Sequence, residues 1–194
     1  DRSPADSLGS GLAIDGDWIA VGTIAHNGAR GAAYTFRRQG DSWVEHSKLA
    51  PEGLMPEDRF GSHIAMEDGR MLVSAGSAGG GQGAVYAFQY NPQTDSWQTQ
   101  GQLQAPQVDE QTGFGSDVAI ADGIALVGAP GFLGGLGAAL MYVGTDEGWQ
   151  LATFLTPFET TGGSAFGASV DFDGTTAMVG AMGAGRGQGS IFAY

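Results

Sequence analysis

The stretch that decides the fold runs from Phe114 to Tyr142 and reads FGSDVAIADGIALVGAPGFLGGLGAALMY. It contains Phe-Gly, a short apolar run, Asp-Gly, a second apolar run, Gly-Ala-Pro, a glycine-rich loop and a third apolar run. Two sets of glycines recur along the chain at intervals of 52, 54 and 52 residues: Gly9, Gly61, Gly115 and Gly167, and Gly31, Gly83, Gly137 and Gly189. A fixed period near fifty residues predicts four copies of one structural unit.

The three apolar runs of each unit predict β-strands. In the first unit they cover 12–14, 18–21 and 32–36, and they are short, rich in β-branched or aromatic residues and bounded by Gly or Asp. Asp-Gly joins the first two runs in every unit, beginning at Asp15, Asp68, Asp122 and Asp173. Because Asp-Gly between apolar runs is a strong hairpin signal, we expect adjacent antiparallel strands. The second run is apolar throughout, so we expect it to be buried on both faces.

A more polar fourth segment follows in three of the units, at 42–49, 96–103 and 148–155. Each has a tryptophan near its start and a leucine six residues further on, which is typical of an edge strand held by one aromatic anchor. Each complete unit is therefore predicted to be a four-stranded antiparallel sheet. Such sheets repeated head to tail predict the blades of a β-propeller.

The same residues carry a family resemblance. Phe114-Gly115, Gly128-Ala129-Pro130, Gly-Ala-Ala-Tyr on the third strand and Trp…Leu-x-Ala-Pro on the fourth resemble the FG-GAP repeat of integrin-α-type propellers. The pattern is most similar to that of bacterial exported FG-GAP repeat proteins, which share the short Asp-Gly hairpin. The resemblance covers the whole chain, although only the third unit keeps the full pattern and the first begins with Leu8-Gly9.

The predicted fold is all-β, a β-propeller of about four FG-GAP-type repeats. We assign blade 1 to 1–50, blade 2 to 51–104, blade 3 to 105–156 and an incomplete blade 4 to 157–194. Tyr194 aligns with the end of a third strand, so blade 4 is expected to lack its outer strand. We expect the chain to be part of a larger ring, completed by the remainder of a longer chain. A ring shared by two copies, as a homo-oligomer, and a self-contained short propeller are the alternatives.

Composition excludes several classes of partner. The formal net charge is −13, and this acidic surface repels phosphate backbones and anionic lipid, so we expect no nucleic acid. The absence of cysteine excludes disulfides and thiolate metal sites. No apolar run approaches the roughly 20 residues of a membrane helix, so we expect no direct membrane insertion. The chain opens on Asp1 with neither an initiator Met nor a signal peptide, which predicts a processed protein or an excerpt of a longer one.

Calcium is the cofactor that the resemblance implies. Integrin-type blades carry D-x-D-x-D-G loops between their first two strands, and such a loop surrounds a hard cation with oxygen atoms. Here the same positions hold only short turns such as Glu67-Asp68-Gly69 and Asp122-Gly123. Two turn residues cannot supply the six to eight oxygens that Ca²⁺ prefers, so we predict no cofactor. The acidic stretches at 52–58 and 109–110 are interpreted as solvated carboxylates, with weak binding of an ion such as Ca²⁺ as the alternative.

Motifs for catalysis are absent from the sequence. The glycine-rich loops at 76–83, 131–137 and 183–189 precede strands and contain no lysine, so they do not match a phosphate-binding loop. There is no G-x-S-x-G elbow, and the three histidines occupy three different positions of the repeat. A pair of carboxylates for glycoside hydrolysis stays open, since such residues lie far apart in sequence. We predict a non-catalytic protein.

One face of the predicted propeller is the candidate site. It carries the loops between second and third strands and the segments that lead into each new blade, which we call the loop face. The residues predicted to lie there are His26, Asn27, Arg30, Gln82, Phe132, Leu133, Arg186 and Gln188. Phe132 and Leu133 suggest an apolar contact, while Arg30 and Arg186 suggest a carboxylate or sulfate on the partner. Solvated loop residues are the alternative interpretation of each.

The resemblance implies a secreted or cell-surface module, or a periplasmic one, from a bacterium. Its expected function is adhesion, in which the loop face binds a protein or a polysaccharide. One alternative is an assembly module, because the open edge beside 190–194 could accept a strand from another chain. A second alternative is an accessory or catalytic domain of a carbohydrate-active enzyme.

Overall fold

The computed structural model describes residues 6–103, 111–145, 148–158 and 163–194. The first sheet contains β1 (Leu8–Asp15), β2 (Trp18–Thr23), β3 (Ala32–Gln39) and β4 (Ser42–Leu49). The second contains β5 (Phe60–Glu67), β6 (Arg70–Ala75), β7 (Ala84–Asn91) and β8 (Ser96–Leu103). The third contains β9 (Val118–Ala121), β10 (Ile124–Ala129), β11 (Ala138–Thr145) and β12 (Gly148–Leu155). The fourth contains β13 (Phe166–Phe172), β14 (Ala177–Ala181) and β15 (Ser190–Ala193).

Each sheet is an antiparallel meander whose strands lie in chain order. The described helical segments are four single turns between second and third strands: α1 (His26–Ala29), α2 (Ala78–Gly81), α3 (Phe132–Gly135) and α4 (Ala184–Gly187). The all-β prediction and the sheets of propeller-blade type are confirmed, and so is the fourth sheet with only three strands. The row of described sheets does not close into a ring.

The Asp-Gly signal gave the right strand pairing and, in two sheets, the right turn. Asp68-Gly69 and Asp122-Gly123 are two-residue loops with positive φ at both positions, as a type I′ turn requires. In the first sheet Asp15 pairs with Trp18, so the loop is Gly16-Asp17. The fourth sheet has a four-residue loop, because Asp173 Oδ1 accepts the N–H groups of Thr175 and Thr176 at 2.8 Å. A side chain that bonds its own backbone thus replaces the tight turn.

Neighbouring sheets pack a face of small residues against a face of large ones. We call the three contacts the first, second and third junctions, in chain order. At the first junction Ala20 and Ala33 contact a cluster that includes Met71 and Val73 of the second sheet. The second strand of the third sheet is fully buried at 125–127, as predicted, but the prediction is wrong for the fourth sheet, where Met178 of the second strand is 45% exposed. The outermost faces lack such cover, since Leu12 of the first sheet and Ile191 of the fourth, 73% exposed, face solvent.

The Phe-Gly pairs lie where one sheet meets the next. Phe60, Phe114 and Phe166 are buried, and each donates its N–H to a carbonyl just after the turn of the preceding sheet. The acceptors are the carbonyl oxygens of Arg30, Gln82 and Leu136, at 2.9, 2.9 and 3.1 Å. The motif therefore joins each sheet to its neighbour through both a buried ring and the backbone.

Candidate ligand-binding surface

The loop face is built on four single turns of unusual backbone conformation. In each turn the last three residues have positive φ: 27–29, 79–81, 133–135 and 185–187. These segments are left-handed turns, a conformation that costs roughly 1–2 kcal/mol for each residue that is not glycine. This cost explains why the loops are rich in glycine. Asn27, Ala29, Leu133 and Arg186 are the non-glycine residues among those twelve positions.

One hydrogen-bond pattern fixes all four turns to the sheets. The N–H groups of residues 25, 77, 131 and 183 each donate to the carbonyl 19 residues earlier in the chain, at 6, 58, 112 and 164, with distances of 2.9–3.3 Å. The side chains at those four acceptor positions, Asp6, Asp58, Thr112 and Ser164, are buried. The loop face is consequently a fixed frame, and its variation lies in a few side chains at the tips of the turns.

Two of the predicted binding residues on the loop face of the first sheet form hydrogen bonds within the protein. Lys48 Nζ donates to His26 Nε2 at 2.8 Å, so the ring proton lies on Nδ1 and is donated to Asp6 at 2.9 Å. Arg30 donates from Nε to the Leu54 carbonyl and from Nη1 to the Asn27 carbonyl. His26 and Arg30 therefore stabilise the loop through these contacts, while the Asn27 side chain is exposed.

Of the two apolar residues predicted to form a contact with a partner, Phe132 and Leu133, only Leu133 is exposed. Phe132 is only 9% exposed and stacks on Phe154, with 5.8 Å between ring centroids, so it does not form an exposed contact. Leu133 is 56% exposed and has a φ of 52°. The left-handed turn points adjacent side chains in different directions, which the sequence pattern did not show. Leu133 therefore remains as the apolar residue on the loop face of the third sheet.

The three remaining predicted residues are exposed. Gln82 and Gln188 occupy the same repeat position, and the Gln82 carbonyl receives the N–H of Phe114. Arg186 lies in the turn of the fourth sheet with a φ of 62°. Its guanidinium has no hydrogen bond or ion pair to another residue of the described ranges. Leu133 and Arg186 thus lie on the turns of two adjacent sheets, one an exposed apolar residue and the other an exposed cation.

A polar pair that sequence reasoning missed links the inner strands. His63 Nδ1 lies 3.4 Å from Asp117 Oδ1, and Asp117 also accepts the N–H groups of Val118 and Val170 at 2.9 Å. Burial alone would raise the pKa of Asp117. The hydrogen bonds from His63, Val170 and Val118 outweigh burial and hold the pKa of this carboxyl below its usual range. Asp117 therefore connects the second, third and fourth sheets.

A second unpredicted cluster closes the first junction on the side opposite the loop face. Trp18 contacts the rings of His46, Tyr90 and Trp97 at centroid distances of 4.7–5.3 Å. Asp95 Oδ1 accepts hydrogen bonds from Tyr90 at 2.5 Å and Arg37 at 3.1 Å. The bond with Asp95 raises the pKa of Tyr90, and the same bond lowers the pKa of Asp95. Aromatic rings and a carboxylate together fill this junction.

The acids at the positions where integrin-type blades bind calcium contact protein groups or solvent. Glu67 accepts the N–H groups of Asp122 at 2.8 Å and Gly123 at 3.2 Å, which ties the second sheet to a hairpin of the third. Within the described ranges no three His, Cys, Asp or Glu side chains group closely enough to hold a metal ion. In the same ranges no helix is long and apolar enough to cross a membrane.

Four-stranded sheets stacked through a repeated junction, with variable turns on one face, define a repeat protein of the propeller-blade class. A model of the FG-GAP repeat matches residues 43–88 and 149–194. Each match begins at the tryptophan of one outer strand and ends with the third strand of the next sheet, so the family's repeat spans a junction. The chain therefore contains FG-GAP repeats. No curated protein matches it significantly.

Proposed function

We propose that the chain is a non-catalytic, extracellular or cell-surface adhesion module that binds a partner through its loop face. FG-GAP repeats are typically non-enzymatic and occur in extracellular and surface proteins, which supports a binding role. The observation that carries the proposal is the pair Leu133 and Arg186. Both are exposed side chains in left-handed turns, at positions where most of the other units have glycine.

The strain at these two positions is the main argument for a role in binding. Leu133 corresponds to Gly79, and Arg186 corresponds to Gly134, in turns of the same conformation. Strained residues persist at functional sites because the surrounding structure stabilises them. An exposed leucine in this conformation contributes little to packing. We therefore assign the two residues to contact with a partner that offers both an apolar group and a carboxylate, which favours a protein ligand.

Replacing Leu133 and Arg186 by glycine is expected to weaken binding strongly without destabilising the fold. Leu133→Gly and Arg186→Gly relieve left-handed strain of roughly 1–2 kcal/mol each, partly offset by the flexibility of glycine in the unfolded chain. The double variant is expected to bind cells of the producing organism at least about tenfold more weakly. Fluorescently labelled protein and flow cytometry measure this binding, and urea unfolding measures stability.

The matched control changes the same residue types on strands, outside the turns of the loop face. Arg38→Ser and Leu151→Thr alter an exposed arginine and an exposed leucine outside the loop face. This control should bind like the original chain. Protease treatment of the cells should remove binding sites, whereas periodate treatment would do so if the partner were a polysaccharide. Equal binding by the double variant and the original chain would show that the loop face is not the site.

Assembly is the second candidate function, and one observation favours it. The fourth sheet lacks a neighbour on the β15 edge within the described ranges, and Met178 and Ile191 on its outer face are exposed. At the three junctions the equivalent positions are covered by the next sheet, as shown by buried Leu126 and Ala139 of the third sheet. We propose that a second copy covers this face with its own first sheet, where Leu12 and Ile14 are exposed.

This assembly predicts that the molar mass rises with concentration. Light scattering of the chain should show dimers or longer species at tens of micromolar, about the range that a modest interface supports. Ile191→Glu should return the mass to that of the monomer, because it places a charge in the interface. Val143→Glu changes an exposed valine of the third sheet and should leave the mass unchanged. A monomer at every concentration would rule out this second candidate.

A further inference from the structure

A polar groove lies at the second junction, on the side opposite the loop face. It has a volume of 290 Å³, close to the lower end of ligand pockets at about 300 Å³. Its lining includes Arg70, Gln89 and Gln100 of the second sheet and Gly144 and Trp149 of the third. A groove that combines one cation, two amides and an indole can hold a small polar ligand with a flat apolar side.

The first junction shows how the groove arises. There the repeat positions equivalent to Arg70 and Gly144 are Trp18 and Tyr90, whose rings lie 4.7 Å apart between centroids. Trp97, which corresponds to Trp149, packs against both of them. Where the first junction is filled by two large rings, the second has an arginine and a residue without a side chain. The groove is thus the volume that Tyr90 and Trp18 occupy one junction earlier.

The first junction also shows what this volume holds. The Tyr90 ring lies against Trp97, and the Asp95 carboxylate accepts a hydrogen bond from Arg37 at 3.1 Å and lies 3.3 Å from His46 Nε2. A ring and a carboxylate are therefore bound together by an indole and a cation. The second junction keeps the indole, and it places a guanidinium at Arg70. Because Gly144 has no side chain, the space that corresponds to the Tyr90 ring is open.

Among the described residues, no carboxylate takes the place of Asp95 beside Arg70. The Arg70 guanidinium forms no hydrogen bond or ion pair with any residue that the structure describes, in a chain with 21 acidic residues and only eight basic ones. The nearby Glu67 carboxylate is engaged by the N–H groups of Asp122 and Gly123. A half-buried guanidinium that has no partner in the described part of an acidic protein is a candidate site for a carboxylate from outside.

We propose that this groove binds a uronic acid, a sugar ring that carries one carboxylate. The Trp149 indole offers an apolar surface to the C–H face of the ring, Arg70 pairs with the carboxylate, and Gln89 and Gln100 bond hydroxyl groups. The net charge of −13 repels a long polyuronate, so the ligand is the end unit of a glycan. This site is separate from the loop face, and neither proposal depends on the other.

The test compares two sugars that differ in the carboxylate alone. Methyl β-glucuronide and methyl β-glucoside are titrated into the chain while the indole N–H signal of Trp149 is followed by NMR. The glucuronide is expected to shift this signal with a Kd in the low millimolar range, roughly as one ion pair and one stacked ring allow. The glucoside is expected to bind about tenfold more weakly.

Two variants locate the site. Arg70→Gln should weaken glucuronide binding about tenfold and leave glucoside binding unchanged, since it removes the charge alone. Gly144→Tyr introduces the tyrosine that the first junction has at this position, and the new ring fills the groove. It should abolish the shift of the Trp149 signal with both sugars while the fold is retained. Arg38→Gln, which changes an exposed arginine in the first sheet, is the control and should bind like the original chain. Equal binding of the two sugars, no shift with either, or full binding by the folded Gly144→Tyr variant would overturn the proposal.

Discussion

Gly137→Ala is expected to destabilise the chain by about 3–5 kcal/mol, an unusually large effect for a single methyl group. Gly137 has a φ of 87°, where any other residue is strained by roughly 1–2 kcal/mol. An added Cβ would also lie 2.1 Å from the Phe166 carbonyl oxygen and 2.5 Å from its nitrogen. Because these neighbours are backbone atoms, the third and fourth sheets must move apart. Urea unfolding followed by circular dichroism measures the loss.

The repeat supplies a matched control for this substitution. Gly189 occupies the same position in the fourth sheet and has a φ of 77°, but an added Cβ would meet nothing closer than 3.7 Å. Gly189→Ala should therefore show only the backbone strain, about 1–2 kcal/mol. A loss of stability that is equal in the two variants would mean that the junction does not depend on close approach at this glycine.

The periodic glycines and apolar runs predicted the sheets because they reflect local rules. A strand needs alternating or continuous apolar residues, and Asp68-Gly69 needs only its own positive φ values to form a hairpin. The fourth hairpin differed because the Asp173 side chain bonds two N–H groups of its own loop. That competition between side chain and turn is not visible in the Asp-Gly pair itself.

The candidate site was predicted less well because it depends on the handedness of a turn and on contacts between residues that are far apart in the sequence. Phe132 and Leu133 are adjacent and both apolar, yet the left-handed turn buries one and exposes the other. Arg70 and Trp149 are far apart in sequence and meet only because the second and third sheets pack together. Aligning the units would have revealed the signal at the second junction, where Gly144 stands in the position of Tyr90.

Phe114→Ala is expected to cost about 3–5 kcal/mol and to break the cooperativity of unfolding. The Phe114 side chain is buried at the second junction, in the cluster that contains Val85 and Tyr142. Loss of a buried phenylalanine leaves a cavity between the second and third sheets. Repeat proteins are stabilised by the contacts between neighbours, so a weakened central junction separates the first two sheets from the last two. Urea unfolding should then change from one transition to two.

The same change at the first sheet should have almost no effect. Leu8 occupies the position of Phe114 but is 49% exposed, since no described sheet packs against it. Leu8→Ala should alter the free energy of unfolding by less than about 1 kcal/mol and leave a single transition. A single transition in the Phe114→Ala variant, with a loss no larger than that of Leu8→Ala, would contradict the role of the Phe-Gly ring. Two transitions would instead show that each junction stabilises only the two sheets that it joins, as the nearest-neighbour packing of the blades requires.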